Sequence, residues 1–170
     1  MRLLLTTGVA LFLASYALAS TDLSGTWVLD LRSSTSSGPM LKRLGVSWLE
    51  RTLADSIQLE SIYAQAPGTL TIHTKGPAFR RTEVIRTDNQ PETKEEKVTG
   101  RYNICTDWIA RGTELLSTIS FRTKDQRDAQ LLVNRQLADG GKTLILTQTL
   151  KVTGEPETWT TRRVWRKRER

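Results

Sequence analysis

From residue 56 onward the chain is a succession of short alternating runs, each closed by residues that turn a backbone. SIQLESIYA (56–64) is followed by Pro67-Gly68, TLTIHTK (69–75) by Gly76-Pro77, FRRTEVIRT (79–87) by Asp88-Asn89-Gln90, and ETKEEKVT (92–99) by Gly100. YNICTDWIA (102–110) stops before Gly112, and TELLSTISFRT (113–123) before Lys124-Asp125. DAQLLVNRQL (128–137) meets Asp139-Gly140-Gly141, KTLILTQTLKV (142–152) meets Gly154, and TWTTRRVWRKR (158–168) closes the series. Period-two runs of this length between turn signals read as antiparallel strands joined in sequence. With LSGTWVLDL (23–31) they number ten. A sheet that closes on itself has no exposed edges, so the pattern predicts an all-β, ten-strand antiparallel up-and-down barrel.

One segment breaks the alternation. In MLKRLGVSWLERTLADS (40–56) the residues Leu41, Leu44, Trp48, Leu49 and Leu53 recur at three- and four-residue steps, as on one face of a helix. Gly45 interrupts the run, which predicts two short helices joined by a turn between the first and second strands.

The first residues read as an address. Arg2 precedes an apolar run, Leu3 to Leu13, and Ala17-Leu18-Ala19 offers the small residues a signal peptidase reads, so 1–19 is expected to be removed from a single domain at 20–170. A secreted or periplasmic destination follows from that expectation. A lone cysteine, Cys105, allows no intramolecular disulfide and is read as a small core residue.

The formal net charge is +7, yet Lys and Arg are interspersed with Asp and Glu, and ETKEEK is an acidic interruption, so no nucleic-acid partner is expected. The chain has no G-x-S-x-G, no Cys–His pairing and no phosphate loop, and His73 stands alone without a second ligand at metal spacing. Neither an enzyme, nor a cofactor, nor a metal site is expected.

This order of elements, and several stretches, resemble the intracellular fatty-acid-binding protein family of the calycin superfamily. Gly25-Thr26-Trp27 resembles the G-x-W opening of calycin barrels, and residues 40–46, Met-Leu-Lys-Arg-Leu-Gly-Val, resemble the start of the family's helix-turn-helix lid. Thr71-Ile72-His73-Thr74 and Arg81-Thr82-Glu83-Val84 stand where the family has its third and fourth strands. The resemblance runs from residue 24 to about 168. It implies a calycin-like barrel under a two-helix lid, with a fatty acid or similar apolar carboxylate held inside. It also implies a carboxylate clamp: Arg135 matches its arginine on the third-last strand, and Arg163-Val164-Trp165 matches its Arg-x-Tyr pair, with tryptophan in place of tyrosine. An indole only donates, whereas a phenol donates and accepts.

Strand parity gives an independent view of the same residues. Leu131, Val133, Arg135 and Leu137 share a face, as do Trp159, Thr161, Arg163 and Trp165, while Arg162, Arg166 and Arg168 lie opposite. Arg135 and Arg163 are therefore placed on apolar faces, where a guanidinium needs a partner. Either they hold a ligand's headgroup, or they pair with an internal Asp or Glu or pack over Trp27, which is read as core at the barrel base. On the lid, Trp48 fits core or portal equally. Lys42, Arg43 and Arg51 are read as a solvated basic face, which in the resembling family accompanies transient contact with anionic membrane. The alternative to a monomeric carrier is a non-enzymatic interaction barrel with a filled core and a basic outer face.

Overall fold

The computed structural model of the chain describes residues 20–77, 79–96 and 100–169. The expected leader, 1–19, lies outside the described residues. Ten strands form one antiparallel sheet: β1 (Gly25–Asp30), β2 (Glu60–Ala66), β3 (Thr69–Gly76), β4 (Phe79–Arg86), β5 (Glu92–Glu96), β6 (Gly100–Ile109), β7 (Glu114–Arg122), β8 (Asp128–Ala138), β9 (Thr143–Val152) and β10 (Thr158–Lys167). Their lateral order is β4-β3-β2-β1-β10-β9-β8-β7-β6-β5, so neighbours in sequence are neighbours in space, and β1 joins β10. Trp27 is paired with Lys167 and Leu29 with Trp165 across that seam.

The ladder is not completed between β4 and β5, the two ends of the sheet. Side chains bridge them instead: Arg81 pairs with Glu96, and the Lys94 ammonium donates to the Val84 carbonyl at 2.5 Å. Parity explains the break. The inward positions of β5 are Glu92, Lys94 and Glu96, which offer no apolar face to pack, so charged groups span the gap where a backbone ladder would otherwise run.

Between β1 and β2 lie α1 (Gly38–Arg43) and α2 (Trp48–Ser56), separated at Gly45 as the sequence predicts. Gly45 has φ +74°, a left-handed conformation that ends α1 at little steric cost. Ser47 and Glu50 form a reciprocal capping box that starts α2. The second strand begins at Glu60 rather than at Ser56, because residue 56 still belongs to α2, whose cap is the Ile57 N–H bonded to Leu53. Among the described residues no helix is long and apolar enough to cross a membrane.

Two apolar clusters lie inside the sheet. Leu23, Trp27, Leu29, Tyr63, Leu70, Ile72, Ile85, Leu115, Leu144 and Trp165 make the base. Trp27 is fully buried and its indole N–H donates to the Leu23 carbonyl at 3.0 Å. The cation over its ring is Lys167, 5.4 Å from the centroid, and not an arginine. A second cluster, Met40, Tyr102, Ile104, Phe121, Ala129, Leu150 and Val152, lies under α1. Cys105 is not in either. It sits half-exposed among Asn103 and Asp107 on the outer face of β6, with its thiol against Asn89 at 3.0 Å.

Candidate functional site

Between the two apolar clusters is a cavity of ≈ 250 Å³. Strand alternation delivers Arg135 from β8, Trp165 from β10, Tyr63 from β2 and Gln148 from β9 to its wall. Arg135 is 6% exposed and Trp165 7%. Arg135 donates through Nη1 to Ser117 Oγ at 3.1 Å, and Ser117 also accepts from Thr106 at 2.8 Å. Among the described residues no carboxylate lies within ion-pair distance of Arg135, and neither its Nε nor the Trp165 indole nitrogen has a hydrogen-bond partner. A buried cation with an idle donor is costly, and an idle indole N–H adds about 1–3 kcal/mol. Burial pushes the Tyr63 phenol up from its ordinary range, while Arg135 beside it pulls the other way.

The expected clamp is split. Arg163 is buried on the same face of β10, at 8% exposure, but it is not in the cavity wall. It donates to the Asp55 carboxylate at 3.3 Å and to the Ala54 carbonyl at 3.0 Å, both at the end of α2. Burial lowers the Arg163 pKa, against the opposing pull of Asp55. Asp55 is a junction, accepting also from Ser36 Oγ and from the Ser37 N–H and hydroxyl. Burial pushes its pKa up, but those bonds and Arg163 bring it below the usual aspartate range. Of the two readings open for these arginines, pairing with an acid describes Arg163, and the acid comes from the lid. Arg135 faces the cavity without one.

The lid residues also divide. Trp48 is 70% exposed, with Leu49 and Leu53 exposed beside it, so Trp48 is not core. Lys42 is exposed. Arg43 departs from the solvated face expected of it. Its guanidinium chelates Glu155 at 2.7–3.1 Å, reaches Asp125 at 3.3 Å and lies 6.0 Å from the Trp159 ring. The reason is proximity that only folding creates: α1 packs over the β7–β8 and β9–β10 turns, which carry those acids. α1 is therefore pinned by Arg43, and α2 is held to the barrel wall through the Asp55–Arg163 contact.

Sequence reasoning gave no site role to Tyr63, Thr106, Ser117, Tyr102, Glu83 or Glu96. Parity carried a signal for two of them: Thr106 and Ser117 interrupt the apolar faces Tyr102-Ile104-Trp108 and Leu115-Ile119-Phe121. The cavity's opposite side reaches the β4–β5 gap, where Arg81, Glu83, Glu96 and Tyr102 line it. Burial raises the Tyr102 phenol, helped by the Glu96 and Glu83 carboxylates, to about 12. A larger, more open hollow of ≈ 660 Å³ runs along β6–β9, but its charged groups are the exposed Arg101, Arg122, Asp128 and Lys151. No buried idle donor faces it among the described residues, so the smaller cavity is the candidate site.

No family model matches the sequence, and no curated protein matches it. Solved structures do. Human cRBP IV aligns with a TM-score of 0.66 at 17% identity, over 87% of this chain and 99% of that one. A REP1-NXSQ fatty acid transporter aligns at 0.65 and 15%, over 87% and 97%. A Schistosoma mansoni fatty acid binding protein in complex with arachidonic acid aligns at 0.63 and 15%, over 86% and 96%. At these identities the likeness carries the fold alone: a ten-strand β-barrel with two short helices between its first two strands, as in the fatty-acid-binding proteins.

Proposed function

We propose that the protein binds and carries a fatty acid or similar apolar carboxylate in the cavity between its two apolar clusters, without catalysis. One observation carries the reading: among the described residues, Arg135 is buried at the cavity wall with no carboxylate of its own, and its Nε and the Trp165 N–H have no acceptor. A ligand carboxylate supplies both a counter-charge and lone pairs for those donors, and its planar geometry suits a guanidinium. Ile72, Ile119, Leu131, Val133 and Leu146 line the same space and would take the tail, worth ~0.8 kcal/mol per buried methylene at most. The likeness to lipid carriers of the same fold supports this.

In this reading the protein acts as an exported monomer, secreted or periplasmic, and exchanges cargo by brief contact with anionic membrane through Trp48, Leu49 and the exposed Lys42. The test is to extract the purified protein with organic solvent, identify what is released, and titrate the stripped protein with a fluorescent fatty-acid probe. Arg135→Met should weaken probe binding by about tenfold or more, since a charge-assisted bond is lost. Absence of any lipid in the extract and of any probe binding would refute the carrier reading and leave a barrel with a filled core.

A further inference from the structure

The cavity has polar groups on two sides, and a plain alkyl acid would satisfy only one of them. On one side are the guanidinium of Arg135 and the idle N–H groups of Arg135 and Trp165, both residues more than nine-tenths buried. On the other, at the β4–β5 gap, the charged side chains that line the cavity are Glu83, Glu96 and Arg81, with the Tyr102 hydroxyl beside them, while Lys94 is taken up by Glu92 and the Val84 carbonyl. Two carboxylates share one guanidinium there. Arg81 bonds Glu96 closely and reaches Glu83 only at 3.9 Å, so this end has an excess of acceptors. Tyr63 lies between the two ends: in register it is paired with Ile72, which is paired with Glu83, and its phenol feels both Arg135 and Glu83.

Resting on the carrier reading, we propose that the ligand is a bifunctional acid, with a carboxylate held by Arg135 and Trp165 and a hydroxyl at its far end donating to the Glu83–Glu96 pair. Charged groups on end strands also serve to blunt a sheet edge, but that role is met by side chains facing either way. Here they line the same cavity as the idle donors, at its solvent-facing end. The cavity's size agrees with a short spacer: ≈ 250 Å³ falls below the ~300–1,000 Å³ usual for small-molecule pockets, and a long saturated chain would overfill it. The polar ends fix both termini of a compact ligand, and the Ile72, Leu131 and Leu146 wall takes the methylenes between them.

The experiment is calorimetric titration of the lipid-stripped protein with decanoate and with 10-hydroxydecanoate, repeated on a Glu83→Gln/Glu96→Gln double variant. The hydroxy acid should bind the wild-type protein about tenfold or more tightly than decanoate, as expected for a hydrogen bond to a charged acceptor. The double variant should lose that preference and keep its affinity for decanoate. Equal affinities in the wild type would overturn the second contact and leave the carrier reading standing. A preference that persists in the double variant would overturn it too, since the carboxylates would not be its source. Binding of neither acid would overturn both readings together. The wild-type comparison decides the matter even if the double variant does not fold.

Discussion

The Asp55–Arg163 contact is the hinge between barrel and lid, and Asp55→Ala tests it. The substitution removes the acceptor of four bonds: from Ser36, from the Ser37 N–H and hydroxyl, and from Arg163. Arg163 would keep only the Ala54 carbonyl. The Arg163 side chain is 10% exposed and that of Asp55 27%, so solvent screens the pair only in part. A hydrogen bond to a charged group contributes about 1.5–3 kcal/mol, and the freed hydroxyls recover water, so we take about 2 kcal/mol for the junction. If α2 opens as a unit, that raises its open population about thirtyfold. Amide hydrogen exchange read by mass spectrometry should show residues 48–56 exchanging faster by that factor, with β8 and β9 unchanged. The wild type should show a matching pH dependence. The Asp55 pKa lies below its unfolded value, so its contribution is full above the ordinary aspartate range and is lost as pH falls through the lower, folded value. The lid should therefore stay shut at neutral and mildly acidic pH and loosen only in strong acid. Exchange in α2 that is the same in wild type and Asp55→Ala would refute the latch and leave Arg163 with packing alone.

Two further outcomes follow from the anchor of α1 and from the buried tyrosines. Arg43→Ala should unpin α1, lowering the melting temperature by a few degrees and speeding exchange in residues 38–43, because the variant leaves Glu155 and Asp125 to Arg127 alone and uncovers Trp159; an unchanged melt and exchange pattern would show those ion pairs to be incidental. Tyr63 and Tyr102 both have raised phenol pKa values, Tyr102 to about 12, so alkaline spectrophotometric titration of the folded protein should show no tyrosinate step from them near the ordinary ~10. The neutral phenols stabilise the fold up to that ordinary value, and the contribution is lost as pH rises toward the folded value. A step near pH ~10 that disappears in Tyr102→Phe would refute the burial described for it.

Much of the architecture can be read from alternation, and the reason is physical. A strand with one apolar face fixes its own register, so β6 through β10 could be placed, and Arg135, Arg163 and Trp165 assigned inward, from spacing alone. What alternation does not encode is where a helix lands. Arg163 and Asp55 are 108 positions apart, and Arg43 and Glu155 112, and both contacts depend on how the lid is laid on the barrel. The two expected clamp arginines therefore shared a face in the sequence but serve different elements in the fold. The β4–β5 gap was hidden for a different reason. ETKEE has no apolar residue at either parity, so its inward face had no hydrophobic signature. Cys105 was misread because its neighbours two positions away, Asn103 and Asp107, set the face, and both are polar.

The seam between β1 and β10 has a consequence for when this molecule can exist as a folded object. Strands β2 through β4, and β5 through β9, follow one another as hairpins whose partners are synthesised within moments of each other. β1 is different: one of its neighbours, β2, arrives after the lid segment, and the other, β10, only after the eight strands between them. Trp27 is paired with Lys167 and Leu29 with Trp165, so the base of the barrel waits for β10 to be made. Ring closure between such distant segments is slow by nature, because chain entropy must be lost before any contact rewards it. A nascent chain of this protein thus cannot close the seam at its base until β10 has been made.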